Sequence, residues 1–163
     1  MKVKDSEVEI SRLVLPEDTN VVNALYGGRL VEWMDNIASI TAYKHARKNI
    51  VTGSIDSLFF ISPIKLGDIV TIRSFVTYTT KSTMEIEIDV FSENAITGDK
   101  KITTQAFFTY VAIDNDGRPV EIPQIEPEND DEIKRYKEGE QRSAERLKRL
   151  AETKERIKAS LKI

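Results

Sequence analysis

Between Asn20 and Asp35 the chain gathers residues suited to one kind of chemistry. Asn20 and Asn23 offer side-chain amides, Gly27-Gly28 offers unhindered backbone N–H groups where an apolar run begins, and Asp35 places a carboxylate inside that run. Such a carboxylate can take up a proton or attack an electrophilic carbon. Amides and the unpaired N–H groups of a helix start favour a negative oxygen. Burial would favour the neutral carboxyl, and hydrogen bonds from neighbouring amides the charged one; the spacing leaves both open. Each residue also has a structural reading: Asp35 as a surface acid, the asparagines as turn and cap residues, the glycines as room for close packing. The single histidine, His45, falls on the apolar stripe and reads as a core-facing or interface residue.

The element that must hold Asp35 is a helix. Leu30, Met34, Ile37, Thr41 and His45 recur at spacings of three and four, Trp33, Ala38 and Ala42 widen the stripe, and neither Gly nor Pro occurs between Arg29 and Arg47. At roughly 100° per residue, Asp35 lies beside Val31, Ala38 and Ala42 at the margin of the apolar arc. Glu32, Asn36 and Ser39 mark the wetter side.

Around this helix the periodicity is that of strands. Residues 8–15 form a first strand closed by Pro16, and residues 18–26 a loop. In residues 51–61, Val51, Gly53, Ile55, Ser57, Phe59 and Ile61 share one face, and Thr52, Ser54, Asp56, Leu58 and Phe60 the other. Residues 69–80 and 102–113 are long β-branched and aromatic strands. In residues 82–90, Met84, Ile86, Ile88 and Val90 point inward against a wet face of Glu85, Glu87 and Asp89. Connections this short imply antiparallel strands, and a sheet with one apolar face needs the helix as its cover. The expected class is α+β, an antiparallel sheet wrapped around one long central helix. Residues 129–163 are a charged helix in which Glu140, Ser143 and Lys154 interrupt a heptad seam. It reads as a solvated terminal helix lying on the domain or on a neighbouring subunit.

Composition narrows the function. A length of 163 residues suits one domain, and a net charge of −3 from 24 basic and 27 acidic residues gives no global field for nucleic acid. With no cysteine there is no disulfide, no thiolate nucleophile and no sulfur-ligated zinc, and one histidine cannot build a histidine-cluster metal site. The start MKVKDSEVEI lacks the apolar run of a secretion signal, and no stretch approaches the roughly 20 apolar residues that span a bilayer. A cytoplasmic protein without a membrane partner is expected.

The order Asp18, Thr19, Asn20, Asn23 (where Gly is usual), Leu25, Tyr26 (for Phe), Gly27, Gly28 and Met34-Asp35 resembles the acyl-CoA thioesterase (acyl-CoA hydrolase) family of the hotdog-fold superfamily. Further matches are Val51-Thr52 with Ser54 and Asp56, Phe60 with Pro63 and Gly67-Asp68, Ser82 through Met84, and Phe108 through Ala112 with Asp114, Gly117 and Pro123. The likeness runs over residues 8–124. It implies a hotdog thioesterase domain over residues 1–124, followed by a charged helical tail over residues 125–163. The implied activity is hydrolysis of acyl-CoA to fatty acid and CoA, without metal or redox cofactor, CoA entering only within the substrate. Asp35 would be general base or nucleophile, helped by an asparagine from the facing subunit. In some relatives that asparagine matches Ala24, which cannot serve, so Asn23 is preferred and Asn20 kept beside it. Gly27 or Gly28 N–H would hold the oxyanion, and Lys81, Ser82 and Thr83 the CoA phosphates. The resemblance further implies a homo-oligomer of dimers with shared sites, three dimers making a hexamer. A non-catalytic acyl-CoA-binding hotdog module is the alternative.

Overall fold

In a computed structural model, which describes residues 1–56 and 58–161, the β-branched runs form one five-stranded sheet. Its strands are β1 (Val8–Leu13), β2 (Asn49–Asp56), β3 (Asp68–Thr79), β4 (Thr83–Asn94) and β5 (Lys100–Ile113). Their spatial order is β1-β3-β4-β5-β2, and every neighbouring pair is antiparallel. A short helix α1 (Val3–Ser6) precedes the sheet, α2 (Gly27–Ala46) covers its inner face, and α3 (Asp130–Leu161) lies on the outer one. The α+β hotdog architecture expected from the sequence is the one found.

The apolar stripe of α2 is buried as its spacing requires: Leu30, Trp33, Met34, Ile37, Ala38, Thr41, Ala42 and His45 all lie in the interior. They meet the inward residues of the sheet, among them Ile72, Met84, Ile86, Ile88, Phe108 and Tyr110. Burying each such large apolar side chain contributes about 1.5–3 kcal/mol, so the helix position is strongly fixed. Arg47, in the left-handed region at φ 51°, ends α2. His45 donates from Nε2 to the Pro123 carbonyl at 2.7 Å, and burial pushes its pKa down, which keeps the ring neutral in the core.

Three expectations need correcting. First, β2 and β3 follow one another in sequence but are not neighbours; β2 lies at the far edge beside β5. Second, the strand expected over residues 51–61 ends at Asp56, Phe59 and Ile61 are exposed outside it, and Ser57 lies outside the described residues. A bulge between Thr52 and Ser54 pairs Thr52 with Tyr110 but Ser54 with Thr109, so Thr52 and Ser54 point to opposite faces instead of sharing one. Third, Glu85, Glu87 and Asp89 are not a wet face: they are 1%, 3% and 8% exposed. The charged helix α3 brings arginines to Glu85 and Glu87, and Gln105 of β5 donates to Asp89.

Candidate active site

Asp35 sits half-buried on the side of α2 that faces β5 and β2. Two strands reach it. Tyr110 on β5 donates its hydroxyl to Asp35 Oδ1 at 2.7 Å, and Thr52 on β2 donates Oγ1–H to the same oxygen at 3.1 Å. The Tyr110 hydroxyl also lies 3.1 Å from the Asp35 carbonyl oxygen. Burial above all, and then the bond to Asp35, push the Tyr110 phenol well above its usual range, so it stays a neutral donor. Among the described residues Asp35 Oδ2 has no partner. One oxygen is clamped and the other is left to act.

The same helix begins with unpaired donors. Leu30 N–H makes the first intrahelical bond, to the Tyr26 carbonyl at 3.1 Å, so Gly27, Gly28 and Arg29 present N–H groups without acceptors among the described residues. A Cβ at Gly28 would come within 2.9 Å of the Tyr26 ring, and one at Gly27 within 3.4 Å of the Phe60 ring. Gly28 thus lets the Tyr26 ring lie against the helix start, whereas a side chain at Gly27 would meet Phe60 at ordinary contact distance.

Both candidate asparagines stand on the loop before α2, and neither contacts Asp35 among the described residues. Asn20 Oδ1 accepts from the Val22 and Ala24 amides, each at 3.1 Å, which turns its NH2 group outward with no acceptor among the described residues. Asn23 holds φ 56°, a conformation asparagine tolerates, and its backbone is tied to Asn20 and Leu66 while its side chain is exposed. Lys81, Ser82 and Thr83 form the β3–β4 turn. Lys81 and Ser82 carbonyls accept from Ile122 and Ala112, and the Thr83 and Thr80 hydroxyls lie 2.7 Å apart. Lys81 itself is exposed. This turn adjoins Met84, the register partner of Tyr110, which places it near the Asp35 end of the sheet. Arg73 on β3 is held by Glu7 at 2.6 Å. No group of three His, Asp or Glu side chains among the described residues could hold a metal ion.

Tyr110 and Thr52 were not singled out as site residues by the sequence. The signal for Tyr110 was its parity: it alternates inward with Ala106, Phe108 and Ala112, yet carries a hydroxyl that a buried position must pair. The bulge at Gly53 hid Thr52, because strict alternation put it on the same face as Ser54.

A profile of the thioesterase superfamily matches residues 23–98. The chain is 40% identical to the uncharacterized acyl-CoA thioester hydrolase YkhA of Bacillus subtilis, over 90% of this chain and 85% of that one. It spans 37% of the length of the rat cytosolic acyl coenzyme A thioester hydrolase, to which it is 37% identical over 86% of its own residues. An apo-hexameric acyl-CoA thioesterase superposes with a TM-score of 0.88 at 40% identity, covering 93% of this chain and 97% of that one. An acyl-CoA hydrolase from Staphylococcus aureus, solved with butyryl coenzyme A, coenzyme A and coenzyme A disulfide, superposes with a TM-score of 0.90 at 35% identity, covering 97% and 96%. That hydrolase has also been solved with alanine replacing one asparagine, one aspartate or one threonine. The sequence intervals between those positions equal the intervals between Asn20, Asp35 and Thr52.

Proposed function

The chain belongs to the thioesterase superfamily, and from that premise we propose that it hydrolyses acyl-CoA to a free carboxylic acid and CoA, with Asp35 as the acting carboxylate. The observation that carries this reading is the asymmetry of Asp35: Oδ1 is fixed by Tyr110 and Thr52, and Oδ2 has no partner among the described residues.

The chemistry follows from those parts. Oδ2 takes a proton from water as its oxygen adds to the thioester carbonyl, or attacks that carbon directly to form an anhydride that water then opens. Gly27 or Gly28 N–H and an asparagine NH2 stabilise the oxyanion. The C–S bond breaks, and the thiolate leaves without needing a strong acid. No metal or redox group is required, and CoA takes part only as the carrier of the acyl group. The exposed Lys81 with Ser82 and Thr83, on a turn stiffened by backbone bonds, receives the CoA phosphates.

The asparagine comes from a second copy. Thr52 lies on β2, an edge strand, so the Asp35 site borders the open edge of the sheet. Pairing of two β2 edges makes a homodimer with shared sites, and three such dimers make a hexamer, the assembly named for one solved relative. Of the two candidates, Asn20 now takes precedence over Asn23. Its amide is oriented by two backbone donors, and its interval to Asp35 matches that in the S. aureus hydrolase variants.

The test is a panel of acyl-CoAs of increasing chain length, with free CoA followed by a thiol reagent, run on the wild type and on Asp35→Ala, Asn20→Ala and Asn23→Ala. Wild-type release, a loss of about 10²–10⁴-fold in Asp35→Ala and a large loss in Asn20→Ala alone of the two asparagine variants are expected. Binding of acyl-CoA with no CoA release by the wild type would leave a non-catalytic acyl-CoA-binding module.

A further inference from the structure

The helix α3 crosses the outer face of the sheet obliquely, and its contacts trace the path. Tyr136 packs edge-on to Tyr78 of β3, Arg142 pairs with Glu85 of β4 and lies over Phe107 of β5, and Arg146 pairs with Asp56 of β2. Arg149, 3.8 Å from the same Asp56, is the last residue of α3 in an ion pair with the sheet among the described residues. Beyond β2 there is no further strand among the described residues. From Lys154 to Leu161 the helix therefore runs on past the sheet edge, for about 12 Å at 1.5 Å per residue. With neighbouring strands about 4.8 Å apart, that is enough to overlie the first strand of a sheet continued across the edge.

The C-terminal half of α3 is not uniformly polar. Leu147, Leu150, Ile157 and Leu161 recur at helical spacing along one side and are 64%, 48%, 49% and 61% exposed. Leu147, Leu150 and Thr153 also wall a cavity of about 540 Å³ whose floor is Gly53, Ser54, Thr109 and Val111. On that floor Ser54 Oγ and Thr109 Oγ1 are buried and lack hydrogen-bond partners among the described residues. An apolar stripe on a helix of otherwise charged residues, above an underfilled edge, marks a contact surface.

We propose that the occupant is a second copy of this chain: its α3 lies antiparallel to this one across the joined β2 edges, each overhang covering the cavity of the other. A twofold axis through the paired edges brings the same stripe onto itself, which is what an isologous contact requires. Leu147 and Leu150 on the sheet side of Lys154, and Ile157 and Leu161 beyond it, give the stripe apolar residues on both sides of that axis. The interrupted heptad fits this role: Lys154 falls near the axis, where its long stem can reach solvent while the leucines close on either side. The interface would hold the dimer from the face opposite Asp35, behind the strand pair that carries Thr52 and Tyr110. It rests on the edge-to-edge dimer proposed above.

The absence of cysteine from the sequence makes the test clean. Full-length chains carrying Lys154→Cys or, on the proximal exposed part of α3, Glu145→Cys are treated with a short bis-maleimide at micromolar concentration and run on denaturing gels. Covalent dimer from Lys154→Cys at many times the yield from Glu145→Cys is expected. In sedimentation, Leu150→Asp combined with Ile157→Asp should raise the dimer dissociation constant at least tenfold while circular dichroism stays native. Equal cross-linking by both thiols, or an undiminished dimer in the double variant, overturns the helix contact and leaves edge pairing and hydrolysis standing. A wild-type chain that is monomeric at every concentration but releases CoA overturns both the contact and the shared site.

Discussion

The two faces of β4 carry alternate residues of one strand and solve opposite problems. On the inner face Met84, Ile86, Ile88 and Val90 are fully buried against an apolar helix, where packing is enough. On the outer face Glu85, Glu87 and Asp89 are almost as deeply buried, but against a helix whose contribution is charge. Glu85 takes Arg142 at 2.8 Å, Arg146 at 3.4 Å and the Thr77 hydroxyl at 2.9 Å. Glu87 takes Arg135 at 3.3 Å and shares Gln105 with Asp89. The chemistry proposed above uses the inner side, where Tyr110 and Thr52 orient one carboxylate and leave it an open oxygen. The outer acids are enclosed and satisfied. An alternating strand therefore says which residues share a face, and the arginines of the covering helix decide whether the polar face is wet.

The strongest way to break this contrast is to remove Glu85. Glu85→Ala strands Arg142 over a buried surface while Arg146 keeps Asp56 at 2.7 Å, and losing one partner of a buried ion pair costs about 3 kcal/mol or more. Urea unfolding should show that loss, with faster hydrogen exchange in α3. Turnover, measured below the onset of unfolding where the oligomer persists, should change little. A stability unchanged within about 0.5 kcal/mol would mean that the Glu85 pairs do not hold α3, leaving its apolar contacts and the Arg135–Glu87 and Arg146–Asp56 pairs to do so.

Glu87 sharpens the contrast through pH. Burial above all, with Asp89 and Glu85 adding and Arg135 and Arg142 opposing, pushes its pKa from 4.5 up to about 7. The folded state thus holds a proton that the unfolded state releases between these values. Its contribution to stability is full below about pH 4.5 and is lost as pH rises through about 7. Glu87→Gln, permanently neutral, should match the wild type near pH 4 and exceed it at pH 8. The gain is on the order of 2 kcal/mol once the weakened Arg135 contact is deducted. Parallel pH profiles for the two proteins would show that Glu87 is not the titrating group.

Much of this was legible in the sequence because it follows from local periodicity. The stripe from Leu30 to His45 fixed the central helix, and the parity of residues 82–90 fixed which side met it. What was illegible depends on distant partners. No local rule says that β2 leaves β3 and joins β5, or that arginines at 135, 142 and 146 will descend on Glu85 and Glu87 of β4. The site divides in the same way. Asp35 stood out by its place on the helix, whereas its two clamps come from strands that meet it only after the sheet has closed and a bulge has turned one of them inward.

The finest test of the inner face is Thr52→Val, which keeps shape and β-branching and deletes one hydrogen bond. Tyr110, at 2.7 Å, remains to hold Asp35 Oδ1, so the carboxylate stays near its place but loses its second anchor at 3.1 Å. A hydrogen bond to a charged group is worth about 1.5 kcal/mol, and here that energy serves orientation. The expected result is a fall in kcat/KM of about tenfold, with kcat carrying most of it. The midpoint of thermal unfolding should hardly move, since Thr52 lies on an exposed edge strand. The outer-face variant Glu85→Ala should give the reverse pattern. If Thr52→Val keeps full activity, Tyr110 alone positions the carboxylate, and β2 serves the site only by pairing with a second copy.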